Sequence, residues 1–477
     1  MNRTRSTLVL SILMATGFSF LFFSSCRRKS ADGMIIFTQV YGKGQDKNVA
    51  EETLEYTAKT RIFSIDPDKS GDSPTILTED FYSAKSPAVS FNGTQLIFTG
   101  QKKQGDTWQI YEMNPANSKI NQITSAPENC IDPAWLPGER LIYSKIPLND
   151  TLKSGHSIFS CNLNGSDVRQ ITFNPDLFSS STILKDGRIL TISKQVYPEK
   201  KDAVFMALRP DGTKAELFYK SAEGNILSGH GWETSNGRIV FIESDKSNTE
   251  RGNVISIKYS RPLHTRVNLS SEIEGNFNSV FPLKSGRLLV SYRKSETDRY
   301  AIYGFDPEKR SVDNAIYSNK DFDILEVIAV ETHERPKKLP SEVDKGVKTG
   351  LILCQNINVS EAQSSVNTSA LAKAYKIQVI GKDSTLGVVQ VEQDGSFYLK
   401  VIADTPFRIQ TVDDFGKVLN GPGGWIWLRP NERRGCVGCH EDPEMVPGNN
   451  VPLSVKKAPV IIPVHKSNLK EKAIELE

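Results

Sequence analysis

The chain of 477 residues has no excess of charge of either sign: 59 Lys and Arg residues stand against 56 Asp and Glu, a formal net charge of +3. It also has no basic stripe interleaved with aromatic residues, so nothing predicts a nucleic acid partner. Long apolar runs are absent beyond residues 8–23, and this run is short for a membrane span. The length predicts two or three domains rather than one core.

The N-terminus has the layout of a secretory signal. Arg3 and Arg5 precede the apolar run, and Ser24, Ser25 and Cys26 follow it. The segment is similar to a bacterial lipobox, which implies a signal peptide over residues 1–26 and a lipid on Cys26. We therefore expect a protein of the bacterial cell envelope, held at the membrane by its lipid and facing the periplasm or the cell exterior. An uncleaved signal anchor remains the alternative.

The chain has few cysteines, and they are assigned to a lipid site, a closely spaced pair and scattered single residues. The six are Cys26, Cys130, Cys161, Cys354, Cys436 and Cys439. Cys26 is assigned to the lipid, and the last two form a closely spaced pair. An even set outside the cytoplasm would suggest disulfides, but the three scattered cysteines are interpreted as buried thiols.

A turn with glycine followed by a short apolar strand occurs six times, mostly at intervals of about 45 to 50 residues. Each unit continues with further strand-like segments separated by Gly, Asn and Asp turns, which is typical of a four-stranded propeller blade. The turns are Asp32-Gly33, Asn92-Gly93, Pro137-Gly138, Asp186-Gly187, Asn236-Gly237 and Ser285-Gly286. The pattern predicts a six-bladed β-propeller over residues 33–333, with a β-sandwich as the alternative.

The ends of the repeat predict how the ring closes. The first glycine turn lacks a preceding strand, whereas the last unit has a surplus apolar strand, ILEVIAV, at residues 324–330. We expect this strand to pair with residues 34–38 and leave no open sheet edge.

The remainder of the chain predicts a second, smaller β domain. Residues 334–348 are charged and carry Pro336 and Pro340, which is typical of a linker. Strand-like segments separated by turns then fill residues 349–430 and predict a small antiparallel β-sandwich. The fold class is therefore all-β, ending in a short tail at residues 431–477.

That tail contains the sequence Cys436-Val437-Gly438-Cys439-His440. Two cysteines at this spacing followed at once by histidine are typical of covalent c-type haem attachment. Cys436 and Cys439 would form the thioether bonds and His440 would ligate the iron. Zinc would need further ligands in a suitable pattern, and a redox dithiol would need a βαβ context; another metal or a structural disulfide remains the alternative to one haem c.

The sixth position of the iron has several candidates. Met445 follows His440 too closely to swing across the ring, whereas His465 is far enough along the chain. His230, in the propeller sequence SGHGWE, is a further candidate if the domains pack together, although a structural role is the simpler interpretation. An open site is equally compatible with the sequence.

Two blocks of sequence resemble known families. The run SPAVSFNGTQLIFTG is similar to the WD-like propeller repeats of the Tol-system periplasmic protein. The runs LGVVQVEQDGSFYLKVIADTPFRIQTVDDFGKVL and GWIWLRPNERRGCVGCHEDPE resemble the hydrazine synthase alpha-subunit family. The resemblance implies a propeller, a middle β domain, and haem thioether positions at Cys436 and Cys439, with His440 as the histidine of the motif. A second CxxCH motif, which the full enzyme subunit has, is missing, so we expect a truncated relative that does not itself make hydrazine.

Three functions remain open at this stage. The first is a lipid-anchored redox subunit that transfers electrons through its haem to a protein partner. The second is a non-catalytic propeller module that binds a protein partner, with Cys436 and Cys439 structural. The third is a haem enzyme acting on a small nitrogen or oxygen compound with partner subunits.

Overall fold

The structure is a computed structural model, and it describes residues 31–41, 59–69, 73–117, 119–146, 155–249, 251–359, 373–438, 444 and 449–464. Within these ranges every regular element is a β-strand, apart from two short 3-10 helices, Pro262–His264 and Leu453–Lys456. The strands form eight four-stranded sheets. Six of the sheets are propeller blades and two form the sandwich, which confirms the predicted fold class.

Blades 1 to 3 are built from the first eleven strands and one late strand. In chain order these are β1 (Ile35–Tyr41), β2 (Lys59–Ile65), β3 (Thr75–Ile76), β4 (Ser83–Val89), β5 (Leu96–Gln101), β6 (Gln109–Met113), β7 (Ile120–Gln122), β8 (Cys130–Leu136), β9 (Arg140–Lys145), β10 (Ser157–Asn162) and β11 (Arg169–Gln170), with β24 (Asp323–Ala329) innermost in blade 1.

Blades 4 to 6 follow the same plan, with each blade taking four consecutive strands. They are β12 (Asp176–Ile183), β13 (Ile189–Gln195), β14 (Val204–Leu208), β15 (Glu216–Lys220), β16 (Asn225–Glu233), β17 (Arg238–Asp245), β18 (Gly252–Lys258), β19 (Val267–Asn268), β20 (Asn276–Pro282), β21 (Leu288–Arg293), β22 (Ala301–Asp306) and β23 (Ser311–Tyr317).

The ring closes as the sequence predicts. β24 pairs antiparallel with β1, with Ala329 opposite Ile35 and Val327 opposite Phe37. All six repeat glycines have a positive φ, between 70° and 93°, a conformation that glycine adopts without a steric penalty. At Gly187 there is a second reason for glycine, because a Cβ there would lie 2.2 Å from the carbonyl oxygen of Lys337 in the linker.

The innermost strands are joined around the channel by buried polar contacts. Glu326 of β24 accepts hydrogen bonds from Thr38 Oγ1 at 2.7 Å and from the Ser86 amide at 2.8 Å. The Ser86 hydroxyl in turn donates to Asp132 of β8 at 2.8 Å. Ser86 and Asp132 both have a positive φ, at bulges in equivalent strands. These bonds satisfy polar groups that would otherwise be buried without partners.

The sandwich is formed by the remaining strands: β25 (Thr349–Cys354), β26 (Lys376–Ile380), β27 (Thr385–Gln390), β28 (Phe397–Ile402), β29 (Arg408–Val412), β30 (Val418–Asn420), β31 (Arg433–Cys436) and β32 (Val460–Ile461). Its sheets have the orders β31-β25-β28-β32 and β27-β26-β29-β30. Two pairings, β25 with β31 and β28 with β32, are parallel. The sandwich is therefore not wholly antiparallel, because two strands of the tail return to it and Ile462 enters its core.

The linker and the sandwich are held against the propeller. Trp427 is buried in a cluster with propeller residues such as Leu136, Phe178 and Leu208. Trp425 stacks on Tyr197, and its Nε1 donates to the Tyr197 carbonyl at 2.8 Å. The residues from Ala31 onward accordingly form one compact unit. Across the described part of the chain, no helix is long and apolar enough to cross a membrane.

Candidate functional site

Cys436 lies at the end of β31, an edge strand of the sandwich. It is directly opposite Cys354 of β25 in the parallel register. Paired residues on adjacent strands point to the same face of a sheet, and both cysteines contact the sandwich core. Cys354 is buried, whereas Cys436 is half-buried. Cys436, at the edge of the sheet, is therefore less enclosed than Cys354.

The backbone that follows Cys436 is fixed by the loop after β25. The Gln355 amide donates to the Cys436 carbonyl at 2.9 Å, and the Asn356 amide donates to the Val437 carbonyl at 3.1 Å. Gly438 is so close to this loop that a Cβ would lie 2.2 Å from the Val359 carbonyl oxygen. The first half of the motif is thus attached to the sandwich by main-chain contacts, and glycine is required at its third position.

A buried acid positions β31 from the other end. Glu432 accepts hydrogen bonds from the Arg429 amide at 2.7 Å and from Arg434 Nη2 at 2.7 Å. It also accepts one from the Lys214 amide of the propeller at 2.8 Å. A buried carboxylate with several charge-assisted partners is a rigid anchor, so the strand leading to Cys436 is tied to both domains.

The remaining residues predicted from the motif lie outside the described part of the chain. They are Cys439, His440, Met445, His465 and the lipidation candidate Cys26. Glu444 is described, and its carboxylate accepts a hydrogen bond at 2.8 Å from the Leu263 amide of blade 5. The chain therefore contacts the propeller four residues beyond His440.

His230 does not lie beside Cys436. It belongs to β16 and faces a cavity in the propeller channel, where its ring stacks on Trp232 with centroids 5.6 Å apart. The residues that line this cavity come from the propeller and the linker, and none comes from the sandwich. The structure thus places His230 on the inner strand of its blade, facing the channel, while His440 lies outside the described residues.

The three scattered cysteines are buried, as predicted. Cys130 and Cys161 lie in one core cluster of the propeller, and Cys354 lies in the sandwich. Burial raises the pKa of Cys130 to about 11 and that of Cys161 to about 12, so both thiols stay protonated and unreactive at neutral pH. None of the described cysteines is bonded to another of them.

Of the motif, the structure describes Cys436, Val437 and Gly438, and their surroundings are compatible with attachment of a c-type haem at Cys436. Cys436 is half-buried on an edge strand with a fixed backbone, which suits one thioether bond. Apart from this motif, the described ranges contain no group of three or more His, Cys, Asp or Glu residues that could hold a metal ion. Sequence reasoning missed the pairing of Cys436 with Cys354, because nothing local links strands so far apart in the chain.

Known proteins match both the sequence and the fold. The family model described as the hydrazine synthase alpha subunit middle domain matches residues 320–441, a range that includes Cys436, Cys439 and His440. Hydrazine synthase subunit alpha of Kuenenia stuttgartiensis is 22% identical over 493 residues, covering 76% of this chain. The chain is therefore similar in sequence to the hydrazine synthase alpha subunit. It spans only 61% of the length of that relative.

One solved structure supports the fold assignment. The hydrazine synthase structure from Kuenenia stuttgartiensis matches 89% of this chain and 71% of its own chain, with a TM-score of 0.77 and 18% identity. At that identity the match shows a common fold and nothing about activity. TolB from Acinetobacter baumannii covers 65% of this chain and 68% of its own, at 13% identity and a TM-score of 0.43, which is too low to support a comparison.

Proposed function

We propose that this relative of the hydrazine synthase alpha subunit carries one haem c on Cys436 and Cys439 and serves as a redox subunit of an enzyme complex. The observation that carries the proposal is the CxxCH sequence, whose first cysteine ends a fixed edge strand, inside the range that matches the family's middle domain. When bound, the haem would supply one-electron exchange or a site for a small ligand.

The residues of this chain would have distinct roles. Cys436 and Cys439 would hold the porphyrin, and the hydrogen bonds from Gln355 and Asn356 would orient the first thiol. His440 is proposed as an iron ligand and His465 as a sixth ligand. Replacing His465 by Ala should then convert a low-spin spectrum to a high-spin one, whereas an unchanged spectrum would remove His465 from the site.

We also propose a protein partner and a location at the cell envelope. The matched relative is named as a subunit, which supports a partner of this chain. The signal-like N-terminus supports export, with a lipid on Cys26 as the membrane anchor. Labelling with a radioactive fatty acid should be lost in Cys26→Ser, and unchanged labelling would exclude the lipid.

The haem is tested by making the full chain in a host with an active c-type maturation system. We expect a pigment that stays with the polypeptide after denaturation and acid-acetone extraction, at about one haem per chain in a pyridine haemochrome assay. Replacing both Cys436 and Cys439 by Ala should remove it. The matched control is Cys161→Ala, which removes a buried thiol of the propeller and should leave the pigment unchanged.

A colourless wild-type protein from such a host would overturn the proposal. So would a pigment that survives the double replacement, because covalent attachment then could not depend on these thiols. The first result would favour the binding-module function, with the two cysteines structural.

A further inference from the structure

The central channel of the propeller contains a cavity of about 330 Å³. Its wall is formed by the inner strands of the blades, and residues at the end of the propeller and the start of the linker, Thr332, His333, Glu334 and Pro336, contribute to one end. The linker is held in place there, because the His333 amide donates to the Phe91 carbonyl at 2.7 Å and the Lys337 amide donates to the Lys185 carbonyl at 3.0 Å. The volume is at the lower end of the range found for small-molecule sites.

One side of the cavity is a continuous series of aromatic rings. His230 stacks on Trp232, and Trp232 meets Phe281 edge to face with ring centroids 5.0 Å apart. Phe281 in turn meets His333 edge to face at 5.8 Å. Trp135 lies elsewhere in the wall, and its Nε1 already donates to the Ala88 carbonyl at 2.9 Å. Such walls favour planar ligands, because ring contacts add to the burial of apolar area.

His333 supplies a polar atom in this apolar setting. Its Nε2 is buried and has no hydrogen-bond partner among the described residues. Burial also lowers the pKa of its imidazole, so the ring is neutral at pH 7. A buried polar atom without a partner is unfavourable, and a ligand that pairs with it would remove that penalty.

Three of the four Lys and Glu residues that line the cavity are engaged with the protein, and the fourth, Glu334, is exposed to solvent. Lys185 Nζ donates to the Thr234 carbonyl at 2.9 Å, and Lys284 Nζ donates to the Thr332 hydroxyl. Glu233 accepts a hydrogen bond from the Lys185 amide at 2.8 Å. With these basic and acidic groups in internal bonds, the site is better suited to an uncharged ligand than to an ion.

We propose that the channel cavity binds an uncharged, planar aromatic or heteroaromatic molecule whose rings lie against Trp232 and Phe281 and whose polar atom pairs with His333 Nε2. No sandwich residue lines the cavity, so the site is separate from Cys436 and does not depend on the haem.

The probes are indole, whose N–H donates, and isoquinoline, whose ring nitrogen accepts. Indole suits the tautomer of His333 with an unprotonated Nε2, and isoquinoline suits the tautomer with a protonated Nε2. Cyclohexanol serves as the non-planar control. Binding to the full chain is followed by ligand-observed NMR and by tryptophan fluorescence. We expect saturable binding of at least one aromatic probe at one site per chain, with a Kd below about 1 mM, and none of cyclohexanol.

The variants locate the site. Ala88→Phe fills the cavity and should abolish binding, whereas Ala222→Phe, the same change at an exposed position, should leave it unchanged. His333→Phe keeps an aromatic ring but removes Nε2, and should weaken binding about five- to tenfold. Because the Phe ring needs little extra room, this variant tests the site even if Ala88→Phe does not fold. Absence of saturable binding, or wild-type affinity in both channel variants, would overturn the proposal.

Discussion

Asp176, at the start of β12, is a buried carboxyl whose ionisation opposes folding. Its Oδ2 accepts a hydrogen bond from the Ser193 hydroxyl at 2.7 Å, yet burial raises the pKa of the carboxyl to about 6. Because the folded state favours the protonated form, the stability it contributes is present below the ordinary pKa near 3.8 and is lost as pH rises through 6.

We therefore predict that Asp176→Asn raises the free energy of unfolding at pH 7.5 by about 3 kcal/mol. At pH 4 the gain should shrink to about 0.5 kcal/mol, because the wild-type carboxyl is then protonated in the folded state and only partly ionised in the unfolded state. Urea unfolding at the two pH values measures the difference. Asp66→Asn is the control, since that carboxyl is stabilised in its charged form by Lys69 and has a lowered pKa. A gain independent of pH would contradict the assignment.

Two glycines on either side of Cys436 allow a matched test of the haem motif. A Cβ on Gly438 would lie 2.2 Å from the Val359 carbonyl oxygen, whereas a Cβ on Gly435 would have no atom within 4 Å. Gly438→Ala should displace the motif from the loop after β25 and lower the haem content of the purified protein severalfold. Gly435→Ala should leave it unchanged. Equal haem content in both variants would show that the close contact at Gly438 is unimportant.

At the scale of single residues, the sequence picked out candidate residues better than it predicted which residues surround them in space. Cys436 was recognised from a five-residue motif, and its location on a sandwich edge is compatible with that role. His230 was a conditional candidate for the iron, and its neighbours in space are Trp232 and the channel cavity. The position of His333 at the cavity was missed, because it lies directly before the linker, in a stretch whose sequence shows no sign that it covers a cavity.

At the scale of elements, the closing strand β24 depends on a buried side chain as well as on its ladder. Glu326 accepts hydrogen bonds from Thr38 of blade 1 and Ser86 of blade 2. Its removal would leave both donors without this acceptor in a buried place, which is costly.

We predict that Glu326→Ala lowers the free energy of unfolding by about 3 kcal/mol, and that Glu326→Gln, which keeps an acceptor oxygen, lowers it by less. Thermal or urea unfolding provides the measurement. Glu308→Ala, at an exposed position in the blade 6 turn, should change stability by less than about 0.5 kcal/mol. Similar losses at Glu308 and Glu326 would argue against a specific role in ring closure.

Blade count and ring closure were predictable because each unit must contain a glycine turn and an apolar inner strand. These turns have a positive φ, which favours glycine, so the turns can be located from the glycines alone. The regularly spaced glycines are Gly93, Gly138, Gly187, Gly237 and Gly286. The parallel strands β31 and β32 were not predicted. They are short, and their pairing with β25 and β28 depends on packing of the tail rather than on local pattern.

At the scale of the whole molecule, the sandwich and the propeller share a buried surface. Trp427 is 1% exposed and lies edge to face on Phe178 with centroids 6.4 Å apart. Arg408 supports the neighbouring contact by pairing with Glu199 at 3.0 Å. Such contacts couple the two domains energetically.

We predict that the wild-type chain unfolds in one cooperative transition and that Trp427→Ala lowers its stability by about 3–5 kcal/mol. Calorimetry should then resolve two transitions, because the domains have lost their main apolar contact. Phe415→Ala is the control, since that ring is 97% exposed at a hairpin tip and its loss should change little. Two separate transitions in the wild type would show that the interface does not couple the domains.

The sequence by itself determined the all-β class, the six blades and the closing strand. Each of these depends on local periodicity, turn residues or fixed spacing, which are properties of neighbouring residues. The tertiary structure alone decided which residues share the channel cavity, that Cys354 lies opposite Cys436, and that Trp427 joins the domains. These contacts connect positions distant in the chain, and packing, rather than any local pattern, brings them together.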